Sequence, residues 1–170
     1  MDITQLILDD HEQQRRMFAA LDEVDRADGE ALGALWDRLA TFLEVHARAE
    51  EELFYPPLLE LGQGATDAES AEEETEDAIG DHNAIRDAVA ESRRCEPGSD
   101  GWWQAVDAAR RANSVHMGEE ERQGLADFRR HAGADLRHDL GVRFAAYEAE
   151  HADGVEPEEL DPAEFVAEHG

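Results

Sequence analysis

Four histidines and two glutamates at helical spacing carry the clearest chemistry in this chain: His11, His46, Glu50, His82, His116 and Glu120. Glu50 follows His46 by four positions, and Glu120 follows His116 by four. Four residues are a little more than one helical turn, so each histidine and its glutamate leave the same face. His11 and His82 each add one more imidazole. Imidazole with carboxylate suits iron, zinc, manganese or copper, and a carboxylate can bridge two ions. Carboxylates on a core face need a positive partner, and a metal ion supplies one.

These six residues fall on apolar seams of helical period. The first helix is expected from Ile3 to Arg26, with Ile3, Ile7, His11, Gln14, Phe18 and Leu21 on one face. The second is expected from Ala31 to Glu60, with Leu32, Leu35, Leu39, Phe42, His46, Ala49 and Leu53 inward, and with Pro56 and Pro57 kinking or closing its end. Turn residues over Gly62–Asp67 precede a third helix from Ser70 to Cys95, with Ile79, His82, Ile85 and Val89 inward. Glu96–Gly101 is the clearest break, and Ser99 or Asp100 can cap a fourth helix from Trp102 to His131. Its seam holds Val106, Ala109, Asn113, His116, Glu120 and Phe128. His11 lies fifteen residues before Arg26 and His46 fifteen after Ala31, and the later pairs match almost as well. With short connections, these equalities set all four histidines at one height. A lone inward histidine is ordinarily a hydrogen-bonded core residue. Four at one depth, two with glutamates on the same face, specify a metal site.

The fold class expected is all-α: an up-down-up-down antiparallel four-helix bundle over residues 1–132. An additional C-terminal helix packs on it over 133–153, with Leu136, Leu140, Phe144 and Tyr147 at helical spacing. An acidic, loosely held tail follows over 154–170. The composition agrees, being 34% charged and 41% hydrophobic, with sparse β-branched residues. The net charge of -28 repels phosphate backbones and anionic lipid, so neither nucleic acid nor membrane is an expected partner. All 15 basic residues are arginine, a bias that fits either a high-salt habitat or a GC-rich genome. A single cysteine, Cys95, excludes an intrachain disulfide, and a cytoplasmic location is expected.

Four stretches resemble the haemerythrin-like, or HHE cation-binding, family. They are Asp10-His11, the run from His46 through Glu50-Glu51-Glu52-Leu53-Phe54-Tyr55-Pro56, Asp81-His82-Asn83, and His116 through Glu119-Glu120-Glu121. The resemblance implies a four-helix bundle around a non-haem di-iron centre. It implies that Glu50 and Glu120 bridge two iron ions, with His11 and His46 terminal on one and His82 and His116 on the other. Manganese or zinc is an alternative filling. Oxygen-carrying members have a further histidine four residues from the one on the third helix. Here Arg86 and Ala78 hold the positions four after and four before His82. The centre is one imidazole short.

Three readings share this fold. The first is a protein that binds O2, NO or peroxide in oxygen or redox-stress sensing. The second is a di-iron enzyme with catalase-like or other oxidative activity. The third is an iron-handling protein or a metal-free helical interaction module. Asn113 and Gln14 are placed to orient ligand histidines. Phe18, Phe42 and Ile85 are expected to line the dry cavity, and Tyr55 to serve helix packing. Glu148-Ala149-Glu150-His151 is the one Glu-x-x-His motif, and it reads as a solvated helix face.

Overall fold

The computed structural model describes residues 1–64 and 70–170. The part of the expected Gly62–Asp67 turn from residue 65 onward lies outside the described residues. The described residues form eight helices: α1 Ile3–Asp22, α2 Gly29–Leu53, α3 Tyr55–Leu61, α4 Ala71–Ser92, α5 Asp100–Arg122, α6 Gly124–His131, α7 Ala134–Glu150 and α8 Pro162–His169. They contain no strand, and the fold is a helical bundle.

Local chemistry starts the long helices where the sequence indicates. Asp2, Asp28 and Ser99 accept from backbone N–H groups at the starts of α1, α2 and α5. Ser70 and Glu73 form a reciprocal capping box at α4. The turn before α5 needs glycine at Gly98, where φ is +86° and a Cβ would stand 2.5 Å from the Arg26 carbonyl oxygen.

Cross-helix contacts give the directions. Asp10 meets His46 and Phe18 meets Trp36 across α1 and α2. Trp36 meets Ser92 and Glu51 meets His82 across α2 and α4. His11 meets Glu121 and Asp22 meets Arg110 across α1 and α5. In each pair one number rises as the other falls, so neighbouring helices are antiparallel.

Two long helices break soon after their His-x-x-x-Glu pattern. The second helix ends at Leu53, and Pro56 and Pro57 start α3 instead of continuing it. The fourth breaks at Gln123 rather than running to His131, and Gly124 opens α6 close against Leu58 and Phe54.

The core has two apolar clusters. One gathers Phe18, Leu21, Leu32, Trp36, Leu39, Trp102 and Val106 at the α1–α2 and α4–α5 turns. The other gathers Ile3, Ile7, Leu53, Phe54, Leu58, Ile79 and Phe128, joined by Leu140 and Phe144 of α7. Helix α7 lies on α1 and α2. Its Gly141 lets it approach the start of α1, where a Cβ would meet the Ile3 nitrogen at 2.9 Å. The segment after Gly154 differs from the loose tail expected. Glu158 pairs with Arg48, the Leu160 backbone pairs with Asn83, and α8 buries Phe165 against the rest. Acidic residues dominate its sequence, and a single aromatic with two anchored contacts offsets them.

Candidate metal centre

Between the two apolar clusters lies a buried polar layer containing all six side chains singled out by spacing. His11, His46, Glu50, His82, His116 and Glu120 are each at most 6% exposed. One ligand atom from each of His11, Glu50, His116 and Glu120 falls within 4.8 Å of the others. His82 joins through Nε2, which is 3.2 Å from His116 Nε2 and 3.3 Å from Glu50 Oε2. His46 joins through Nε2, 2.9 Å from Glu50 Oε1. The His11 Nε2 atom is 3.3 Å from Glu120 Oε2 and 3.9 Å from Glu50 Oε1. The four helices thus bring their Nε2 atoms to one place, with Glu50 central.

The donor set fits a metal ion. His11 Nε2, His46 Nε2, both Glu50 oxygens and Glu120 Oε2 are buried with no hydrogen-bond partner of proper geometry. Buried polar atoms are ordinarily satisfied, and so many orphans converging on one volume fit a bound cation.

The outer imidazole nitrogens are held by carboxylates, which can only accept. Nδ1 of His11 donates to Glu121 at 3.0 Å, that of His46 to Asp10 at 3.2 Å, and that of His82 to Glu51 at 2.9 Å. A proton on Nδ1 leaves the Nε2 lone pair facing inward, the arrangement metal-ligating histidines use. The expected orienters behave differently. Asn113 donates to the Gln14 side-chain oxygen at 2.9 Å, so these two pair with each other rather than with a histidine.

Tyr55 does more than pack. Its hydroxyl donates to Glu120 Oε1 at 2.9 Å and fixes that carboxylate, while burial and then the charges of Glu120 and Glu50 raise the phenol well above its ordinary pKa. Its neighbour Pro56 helps start α3, and the break after α2 turns the ring inward. Phe18 and Ile85 sit in the apolar cluster. Phe42 is half-buried, 6.2 Å from the His46 ring, and Phe144 of α7 covers the same ring edge-on at 6.0 Å. Arg86 does not enter the centre in place of the absent imidazole. It turns outward to Glu44 and to Glu51.

Electrostatics without metal show what the cation would replace. Burial opposes charge on His46, yet Glu50 and Asp10 outweigh it and raise its pKa well above 6.5. Burial opposes charge on His82 too, and the nearby carboxylates of Glu50 and Glu51 still lift it to about 9. Burial alone would raise Glu50, but His46, His116 and His82 hold it well below the usual carboxylate range. Glu148 is not on a solvated face. It joins Asp10 and His46 in a second group within 4.8 Å, and burial with the nearby Asp10 charge pushes it up to about 8. The helical spacing of α7 gives no sign of this, because the contact depends on how α7 docks. We read this second group as support for His46, since Asp10 occupies its Nδ1 while Nε2 faces Glu50.

A bundle of antiparallel helices enclosing a buried histidine and glutamate cluster defines a helical protein able to hold a metal ion. Residues 2–127 match the Hemerythrin HHE cation binding domain, and the chain belongs to that family. No curated protein and no solved structure matches the chain. Among the described residues, no helix is long and apolar enough to cross a membrane.

Proposed function

We propose that the six side chains hold two iron ions and that the pair binds a small ligand such as O2, NO or peroxide. As the family resemblance implies, Glu50 and Glu120 would serve both ions, His11 and His46 would hold one, and His82 and His116 would hold the other. The observation that carries this reading is the convergence of buried, unpartnered Nε2 and carboxylate oxygen atoms. When bound, the irons supply open coordination positions and one-electron chemistry. The chain's own side chains orient the imidazoles through Asp10, Glu51 and Glu121, fix Glu120 through Tyr55, and exclude water with Phe42 and Phe144.

The test is metal analysis of protein purified without added metal, followed by spectra in air and after reduction. The expected result is close to two irons per chain, with near-ultraviolet absorption in air. His46→Ala and Glu50→Ala should each lose at least one ion. Full retention of both ions by either variant, or well under one ion in the natural protein, overturns the assignment.

A second reading, a peroxide-consuming enzyme, draws on one observation: Arg86 faces Glu51 and Glu44, so one ion has fewer protein nitrogens available. Oxygen release from added peroxide, lost in Glu50→Ala and Glu120→Ala, would favour it over reversible binding.

A further inference from the structure

Two arms of identical construction reach the polar layer from opposite sides. In each, a histidine is followed by paired glutamates, Glu50-Glu51 on α2 and Glu120-Glu121 on α5. The first glutamate of each pair faces the cluster. The second crosses to the lone histidine of the neighbouring helix, Glu51 to His82 and Glu121 to His11. One turn beyond each lone histidine stands an arginine that donates to the same carboxylate. Arg86 reaches Glu51 at 2.9 and 3.1 Å, and Arg15 reaches Glu121 at 2.7 Å.

The arms differ in their surroundings. The Arg86 and Glu51 side chains are 4% and 1% exposed, whereas those of Arg15 and Glu121 are 42% and 27% exposed. Among the described residues, it is the α2–α4 arm that is tied to the segment through Leu160, which lies beyond the family match. Arg48 stands 3.6 Å from Glu51 and pairs with Glu158. Asn83, adjacent to His82, donates to the Leu160 carbonyl at 2.7 Å, accepts from the Leu160 N–H at 3.3 Å, and accepts from Arg86. Among the described residues, no such contact reaches Glu121.

We propose that the two metal positions are inequivalent: the ion bound by His82 is retained, and the ion bound by His11 exchanges. The inference rests on the metal-centre reading above. An ion leaves when its imidazole swings away. For His82 that motion takes a hydrogen bond from the buried Glu51 carboxylate, where water has little access to replace it, a costly loss. For His11, water can take over the exposed carboxylate and arginine, so the same motion meets little resistance. Glu51 and Glu121 are positioning residues, and residues 158 and 160 secure only the first.

The experiment loads the full chain anaerobically with Co2+, adds excess EDTA, and follows cobalt absorption and protein-bound cobalt together. The expected release is biphasic, with half of the cobalt in each phase and rates separated by roughly tenfold or more, the usual weight of such outer partners. Glu121→Gln should accelerate the fast phase and shift its ligand-field bands while leaving the slow phase unchanged. Asn83→Ala combined with Glu158→Ala should accelerate the slow phase alone. Both variants alter partly exposed groups, and circular dichroism of the metal-free proteins confirms folding. Release of both ions in one phase, or acceleration of the same phase by both variants, overturns the proposal. Uptake of a single cobalt overturns the inequivalence while leaving a metal site. Uptake of none overturns the metal-centre reading itself.

Discussion

The apolar clusters and the polar layer between them are equally shielded from water but have opposite requirements. Leu39, Val106 and Phe128 are fully buried and need only close packing. Glu50 and His11 are buried to the same degree, yet keep unpartnered nitrogen and oxygen atoms. Burial stabilises the first set directly, through apolar area removed from water. It destabilises the second unless a cation, or protons in its absence, balances the carboxylates. The clusters therefore make the fold, and the layer makes its stability conditional on what it holds.

Breaking the apolar side should have the largest effect. Phe128→Ala should cost about 3–5 kcal/mol in denaturant unfolding, equally with and without metal. A cost that disappears on metal loading would mean the cluster is not independent of the layer. Next comes the gain from metal itself. With free Co2+ at about a thousand times its dissociation constant, stabilisation should reach about 4 kcal/mol, and Glu50→Ala should remove it. An equal gain in that variant would place the metal elsewhere.

The pH dependence should separate the two states. His82 is raised from 6.5 to about 9, so its contribution to the metal-free protein is complete below pH 6.5 and lost as pH rises through about 9. Glu148 is raised from 4.5 to about 8, and its contribution is likewise lost as pH rises through about 8. Melting temperature of the metal-free chain should therefore fall from about pH 4.5 through Glu148, and further between pH 6.5 and 9 as His82 loses its proton. Metal affinity should climb over the same window, because the ion no longer competes with a proton on His82. A flat metal-free profile would remove the protons from this account. The smallest effect belongs to Tyr55→Phe. Loss of its hydrogen bond to Glu120 should cost about 1 kcal/mol and loosen that carboxylate, seen as a shift in cobalt ligand-field bands.

Much of the centre was legible before any coordinates. His46 with Glu50 and His116 with Glu120 share helix faces by spacing alone, and His11 and His82 sit on apolar seams that must turn inward. The doubled glutamates and the arginines four beyond His11 and His82 were equally visible in the chain. Their meaning was not, since an exposed salt bridge and a buried positioning arm have the same letters. Asn113 and Gln14 show the reverse case, correctly placed on the seam and wrongly assigned a histidine partner.

Periodicity determined the inward faces of the long helices and the six side chains of the polar layer, because the 3.6-residue turn fixes direction within one helix. Only the tertiary structure decided which groups meet across helices: Glu51 with His82, Glu121 with His11, Tyr55 with Glu120, and Glu148 beside Asp10. Those contacts depend on the axial offset between helices and on where α7 and the segment through Leu160 dock. Neither is encoded in the spacing along a single helix.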